Sequence, residues 1–335
     1  MSLDADQIVD RRRMRRKLTF WRVATVAVAI VAVVAVAGYA MRGTALTAAS
    51  GTGIARIKIS GLIRGDQDRV EALGRLARSQ ARAVIVHIDS PGGTTAGSEQ
   101  LHGALLKLKE RKPLVIVVDG LAASGGYIAA LAGDHIVAQQ SSLVGSIGVL
   151  FQYPNFSELL KTVGVKVEEI KSSPLKAAPN GFEPTSPEAR AAIEAIVMDS
   201  YDWFRNLVRD ARRLDAAALS QVADGRVFTG RQALQLKLVD QLGDEQTAVD
   251  WLAKQRPCFD SNAATCITPT TPVRDYPLRS RFRDLSFLHV AAVFTLDAVG
   301  LTAFARQIED TGAIQALGRL NLDGLLALWQ PPTTH

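Results

Sequence analysis

Four short Val- and Ile-rich runs constrain this chain more than any other feature: IARIKISG from Ile54, AVIVHID (Ala83–Asp89), LVIVVDG (Leu114–Gly120) and DHIVA (Asp134–Ala138). A continuous apolar run of that length reads as a strand buried on both faces, as in a parallel sheet covered by helices. Between the runs lie DQDRVEALGRLARSQ and AGSEQLHGALLKLKERK, whose apolar residues recur every three or four positions and predict amphipathic helices. Strand and helix in alternation imply βαβ units and an α/β fold. With 335 residues, 47% hydrophobic and 21% charged, the chain has enough apolar sequence for a sizeable core, which excludes wholesale disorder.

The net charge of +6 is largely local, because residues 1–22 carry seven Lys/Arg against Asp4, Asp6 and Asp10. A nucleic-acid surface is therefore not indicated. Directly after this basic segment, Val23–Met41 is 19 residues without a charge. As a helix it is about 28 Å long, close to the hydrocarbon thickness of a bilayer. It reads as one transmembrane anchor with residues 1–22 cytoplasmic and the body beyond the membrane, by the positive-inside rule. A cleaved signal peptide is the competing reading, with small residues such as Ala45 and Ala48 near a cleavage site, but the apolar run is longer than a typical signal core.

The body is expected over residues 54–254, with 255–335 as a linker and C-terminal extension. From Pro187 to Lys254 the pattern is mostly helical, opening on a Ser186 cap with Pro187 in the first turn, and Met198, Trp203 and Phe204 read as core. The stretch TPTTPVRDYP (Thr268–Pro277) reads as a linker. Cys258 and Cys266 could close a small disulfide loop in an oxidising compartment or remain two thiols; nothing flanking them completes a metal site.

Chemistry concentrates at two turns. Ala122–Ala123–Ser124–Gly125–Gly126 follows an expected strand and precedes a helical YIAALAG. A serine there either caps the helix or exposes its hydroxyl as a nucleophile. Ala122 stands where the G-x-S-x-G elbow has its first glycine, which argues against an α/β-hydrolase. Asp89–Ser90–Pro91–Gly92–Gly93 follows the preceding strand and is either a simple turn or a loop whose N–H, with one beside Ser124, forms an oxyanion hole.

Ser124 needs a base. Of five histidines, the tempting arrangement is Asp134–His135, yet adjacent residues orient one another poorly for a triad. Lysine can serve where burial strips its proton. The candidates are Lys161, Lys166, Lys171 and Lys176, and only Lys176 lies in a Ser/Pro/Ala loop away from the paired glutamates; the alternative is an ordinary surface lysine. Ser146, in Val144–Gly145–Ser146–Ile147–Gly148–Val149, either bonds an incoming lysine or packs in a Gly-rich strand.

In this order the pieces DSPGG, DGLAASGGYIAALAGDHIVA (Asp119–Ala138), VGSIGV, IKSSPLKAAPNGFEP (Ile170–Pro184) and ADGRVFTGRQALQLKLVDQLG (Ala223–Gly243) resemble the signal peptide peptidase A family over about Ile54 to Leu252. The resemblance implies a crotonase/Clp-protease-like ββα superhelix, Ser124 as nucleophile, Lys176 as base and Ser146 orienting that lysine. It further implies Gly93 and Gly125 as oxyanion donors. The half-length form assembles as a ring, typically an octamer, with serine and lysine of one site drawn from neighbouring chains. Three positions depart from the pattern: Ser173 for a glycine, Ala177 for an acidic residue and Lys237 for a glycine.

The expectation is a membrane-bound serine endopeptidase, facing the periplasm from the bacterial inner membrane and needing no metal or cofactor. It would hydrolyse hydrophobic peptides, chiefly remnant signal peptides. A non-catalytic ring-forming membrane scaffold of the same fold is the alternative.

Overall fold

The computed structural model describes residues 17, 20–22, 53–255 and 266–278, and the backbone of 326–328. The chain divides into two compact units, 1–51 and 52–335. In the first, residues 17 and 20–22 are helical, and Phe20 and Trp21 meet edge to face with ring centroids 6.0 Å apart. The expected anchor, Val23–Met41, lies outside the described residues. Among those described, no helix is long and apolar enough to cross a membrane.

The second unit is built on an eight-stranded mixed sheet. Its first strands are β1 (Ile54–Ser60), β2 (Ala83–Ser90) and, after the short β3 (Gly92–Thr94), the ten-residue β4 (Leu114–Ala123). The helices α1 (Gln67–Ala77) and α2 (Thr95–Lys109) fill the expected crossovers, and α3 (Gly125–Ala130) follows β4 directly. β1, β2 and β4 pair in parallel, so the βαβ reading holds. Alternate strand residues serve opposite faces. Val84, Val86 and Ile88 join one cluster beneath the helices just named, while Ala83 and Ile85 join another. The second cluster is closed by Ala248, Val249 and Leu252 of a helix over Glu245–Gln255.

β4 is the strand that shapes the site. One edge pairs with β2; the other forks, taking β5 (His135–Ala138) along Val115–Val118 and β6 (Leu143–Gly145) along Leu121–Ala123. Antiparallel to β6 runs β7 (Val227–Thr229), which makes the sheet mixed, and β8 (Gln241–Leu242) extends β5. The fork opens where β4 ends, at Ser124.

After β6 come α4 (Ser157–Thr162), α5 (Pro187–Arg212), α6 (Ala216–Val222), α7 (Gly230–Gln235) and α8, the Glu245–Gln255 helix. Ser186 caps α5 as expected, its Oγ accepting from Ala189 N–H at 3.1 Å. Phe204 is fully buried, but Met198 is 47% exposed and so is not core. A 26-residue amphipathic helix has turns that overhang the body, and position 198 faces outward there.

The expected linker is also corrected. Val273–Asp275 forms β9, which lengthens the sheet beside β1 in parallel register, Ile54 opposite Val273. Ile267 is buried against the α8 face. Proline and threonine mark the segment as a turn, yet three residues suffice to cover the edge of β1. Finally β10 (Leu326–Leu328) pairs antiparallel with β3.

Candidate active site

The local chain at Ser124 is bent out of any regular conformation. Its φ of 53° and ψ of −116° lie outside the regions a serine ordinarily occupies, at a cost of about 1–3 kcal/mol. Although Ser124 stands at the start of α3, its side chain makes no capping hydrogen bond. The ordinary explanation of a serine at a helix start therefore fails here. Its Oγ is aimed instead toward the Gly148 carbonyl, 3.5 Å away, and its backbone N–H donates to Gly145 O at 2.7 Å. The residue is 1% exposed.

Those contacts bring the 144–149 motif against the nucleophile turn. Ser146 is buried and has a positive φ of 51°, held by donation of its N–H to Arg226 O at 2.8 Å. The positive-φ bend lets the segment leave β6 and pass beside Ser124. Here sequence reasoning missed two participants, the Gly148 carbonyl and the Asp224–Arg226 turn, since a backbone carbonyl leaves no residue-type signal.

The DSPGG loop lies on the other side. Ser90 is buried, donating to Gly61 O at 2.7 Å and accepting from Gly92 N–H at 3.1 Å. Ile63 N–H donates to Gly92 O at 2.8 Å and Ile63 O accepts from Thr94 N–H at 2.9 Å. A Cβ on Gly93 would stand 1.8 Å from Ile63 O, so only glycine fits. Gly126 packs as tightly, its absent Cβ 2.6 Å from Ser90 O, which locks this loop onto α3. Gly125 is in the first turn of α3, where backbone N–H groups have no carbonyl one turn behind them.

Among the described residues, no histidine serves Ser124. His87 sits between Asp119 and Glu245, 2.8 Å from each; His102 bonds Ile128 O at 2.8 Å. His135 stacks on Trp251 with centroids 4.7 Å apart, while Asp134 accepts from Leu114 N–H at 2.8 Å and pairs with Lys109 at 3.3 Å. The Asp134–His135 arrangement is thus occupied in holding β5 against β4.

The lysines divide sharply. Lys161 pairs with Glu158 at 2.7 Å and Lys166 with Glu168 at 3.4 Å. Lys171 lies between Glu169 at 2.6 Å and Glu183 at 2.5 Å, and these carboxylates, Glu169 foremost, hold its ammonium above lysine's usual range. Lys176 has no such partner among the described residues; it is exposed, and its backbone N–H donates to Ser173 O at 3.1 Å. No hydrogen bond joins it to Ser124 within the chain. Two departures from the family pattern coincide with left-handed backbone: Ala177 has a φ of 57° and Lys237 one of 59°.

Beside Ser146 opens a cavity of about 390 Å³, lined by Ile147, Val149, Leu150, Val197, Met198 and Tyr201 among others. It is mainly apolar, and the outward position of Met198 explains why that residue is not in the core. Elsewhere, Cys266 is disulfide-bonded; Cys258 lies outside the described residues.

Comparison with known proteins places these features in a family. The profile of peptidase family S49 matches residues 106–258. A Synechocystis protein provisionally named as a protease, slr0021, is 38% identical over 202 residues, covering 60% of this chain and 73% of that one. An Enterococcus faecium protein provisionally named signal peptide peptidase SppA is 34% identical, covering 57% and 56%. Protease 4 of Haemophilus influenzae is 30% identical, and the match spans 59% of this chain but 34% of that longer protein. Among solved structures, ClpP1 of Listeria monocytogenes aligns with a TM-score of 0.35 and 14% identity over 56% of this chain and 91% of that one, a likeness too low to carry weight.

Proposed function

Because the chain belongs to peptidase family S49, we propose that it is a serine endopeptidase acting through an acyl-enzyme, with Ser124 as nucleophile and Lys176 as general base. Ser124 Oγ attacks the peptide carbonyl while the neutral Lys176 amine takes its proton and later delivers it to the leaving amine. The N–H groups of Gly93 and Gly125 receive the developing oxyanion, and Ser146 orients the lysine. The observation that carries this reading is Ser124 itself: a strained, buried serine at a helix start whose hydroxyl does no capping.

A single chain leaves the base unfinished. Lys176 is exposed, whereas a lysine base needs dry surroundings, and a second copy would supply them. We read the assembly as a ring, an octamer of crotonase/Clp-type subunits, with Lys176 of one chain at Ser124 of its neighbour. The apolar residues exposed on the Lys176 segment, Ile170 and Phe182 among them, support that contact.

The mainly apolar cavity beside Ser146 favours hydrophobic peptides, with remnant signal peptides as the substrate class. An anchor at Val23–Met41 would hold the body on the outer side of a bacterial inner membrane, where such peptides are released and where a disulfide at Cys266 is stable. Labelling with an alkyl fluorophosphonate tests the nucleophile. The wild-type chain should be modified and Ser124→Ala spared; equal labelling of both removes the proposal.

A further inference from the structure

The carbonyl of Gly92 and the N–H of Gly93 belong to one peptide unit, which is trans and planar, so the two groups point in opposite directions. Ile63 N–H holds that carbonyl at 2.8 Å, which aims the Gly93 N–H away from Ile63. The other end of Gly92 is held by Ser90, whose Oγ accepts the Gly92 N–H at 3.1 Å across Pro91. Between these two bonds the chain turns through a φ of 103° at Gly92, which glycine adopts without strain.

The same hydroxyl donates to Gly61 O at 2.7 Å, so it serves as donor and acceptor at once. That bond, with Gly61 N–H on Asp89 O at 3.0 Å and Thr94 N–H on Ile63 O at 2.9 Å, zips residues 61–63 onto residues 89–94. Ser90 is also where this unit meets the nucleophile turn. It lies opposite Ala122 in the β2–β4 ladder, past a register shift between Ile88 and Ser90, and Ala122 stands just ahead of Ser124. Its carbonyl is 2.6 Å from where a Cβ on Gly126 would be, and the residue is 0% exposed.

We infer that Ser90 is a positioning residue of the reaction: it fixes the Gly92–Gly93 peptide plane against the Ser124 turn, so that the Gly93 N–H is aimed before substrate arrives. This rests on the peptidase reading, in which Gly93 is an oxyanion donor. A donor set in advance needs no reorganisation as charge develops on the substrate oxygen. Pro91 is stiff because its ring fixes φ, which leaves the two glycines as the joints of the loop. Without the hydroxyl, Gly92 N–H and Gly61 O both lose their partner and the joint at Gly92 is released.

The experiment follows phosphonylation of the full chain by an alkyl fluorophosphonate. Ser124 Oγ bonds to phosphorus, the P–F bond breaks and fluoride leaves, while a phosphoryl oxygen takes the place of the peptide oxyanion. The rate constant reports stabilisation of that oxygen, whereas the fraction finally labelled reports how much protein is folded. Ser90→Ala should lower the rate constant by about 10–100-fold, short of the roughly 10²–10³ lost with a whole donor, and still reach the wild-type endpoint. Ser90→Cys keeps the shape with a weaker donor and acceptor, and should fall between the two. Asp215→Ala is the control for loosening alone: it removes the cap of α6, where the carboxylate accepts from Ala218 N–H at 2.8 Å. It should lower the melting temperature and leave the rate constant at the wild-type value.

A wild-type rate constant in Ser90→Ala overturns the inference, as does equal slowing by Asp215→Ala. Should Ser90→Ala not fold, the rate constant of Ser90→Cys decides by the same criterion. A labelled wild type with unslowed Ser90 variants removes Ser90 alone and leaves the peptidase reading standing. A wild type that never labels removes that reading, and this inference with it.

Discussion

The turn that carries Ser124 and the segment that carries Lys176 are built in opposite ways. Around Ser124 the backbone is enclosed: Ser90, Gly92, Gly93, Ser124 and Ser146 are all buried, and glycines at 93 and 126 allow approaches that no side chain permits. From 161 to 170 every residue is exposed, and Ile170 shows as much surface as it would in an open chain. Val163, Val165, Val167, Leu175 and Phe182 are also exposed. A soluble monomer rarely leaves so many apolar side chains uncovered in one segment. The contrast teaches that one chain encloses the proposed nucleophile and oxyanion donors by itself, whereas the proposed base lies on an exposed, partly apolar segment.

The sharpest way to break that contrast is to separate the two halves genetically. Lys176→Ala should lower peptide hydrolysis by about 10²–10⁴, the usual worth of a general base, and Ser124→Ala should abolish it. Co-assembly of these two inactive variants should recover a measurable share of wild-type turnover, because some sites then receive Ser124 from one chain and Lys176 from the other. Mixed assemblies as inactive as their parents mean that the dyad forms within a chain.

Gly93→Ala probes the enclosed half. The added carbon meets Ile63 O and displaces the N–H, so kcat should fall by about 10²–10³, as when one oxyanion donor is lost. Overpacking should also cost about 1–3 kcal/mol of stability in denaturant melts. Wild-type kinetics in this variant would remove Gly93 from the site.

Ile170→Asp probes the exposed half. Because Ile170 is fully exposed, the stability of the isolated chain should not move. Self-association measured by sedimentation should weaken by more than about 1 kcal/mol if the residue is an anchor of the interface. An unchanged oligomer distribution places the contact elsewhere.

The smallest effect is a pH dependence within the enclosed half. Burial foremost, with Lys109 adding, holds the His102 imidazole below its ordinary value of 6.5, against the raising effect of its bond to Ile128 O. The folded chain therefore keeps His102 neutral where the unfolded chain already binds a proton. Its contribution is intact above the ordinary value and is lost as pH falls from there through the lowered folded value. Melting temperatures should decline over that window, and His102→Gln should flatten the decline; an unaltered slope assigns it to other groups.

Much of the molecule was legible from short-range pattern. The apolar runs became β1, β2, β4 and β5, and the three-to-four periodicity became α1 and α2. The capping signal at Ser186–Pro187 marked the start of α5. The turns that carry the proposed site residues were legible too, at Gly92–Gly93 and at Ser124. Illegible were Met198, which the helical pattern assigned to the core, and 268–277, whose prolines and threonines hid a strand.

By itself, then, the sequence determined which segments are strands, which faces are apolar and which serine stands at a strand-to-helix turn, because each depends on neighbours within a few positions. The tertiary structure alone decided that β4 forks around Ser124, that Ser124 takes a backbone conformation in which it cannot cap, and that residues 326–328 lie on β3. Those outcomes depend on strand edges meeting across long separations in sequence. Backbone hydrogen bonds, being the same for every residue, leave no mark in the sequence of which distant edge they will join.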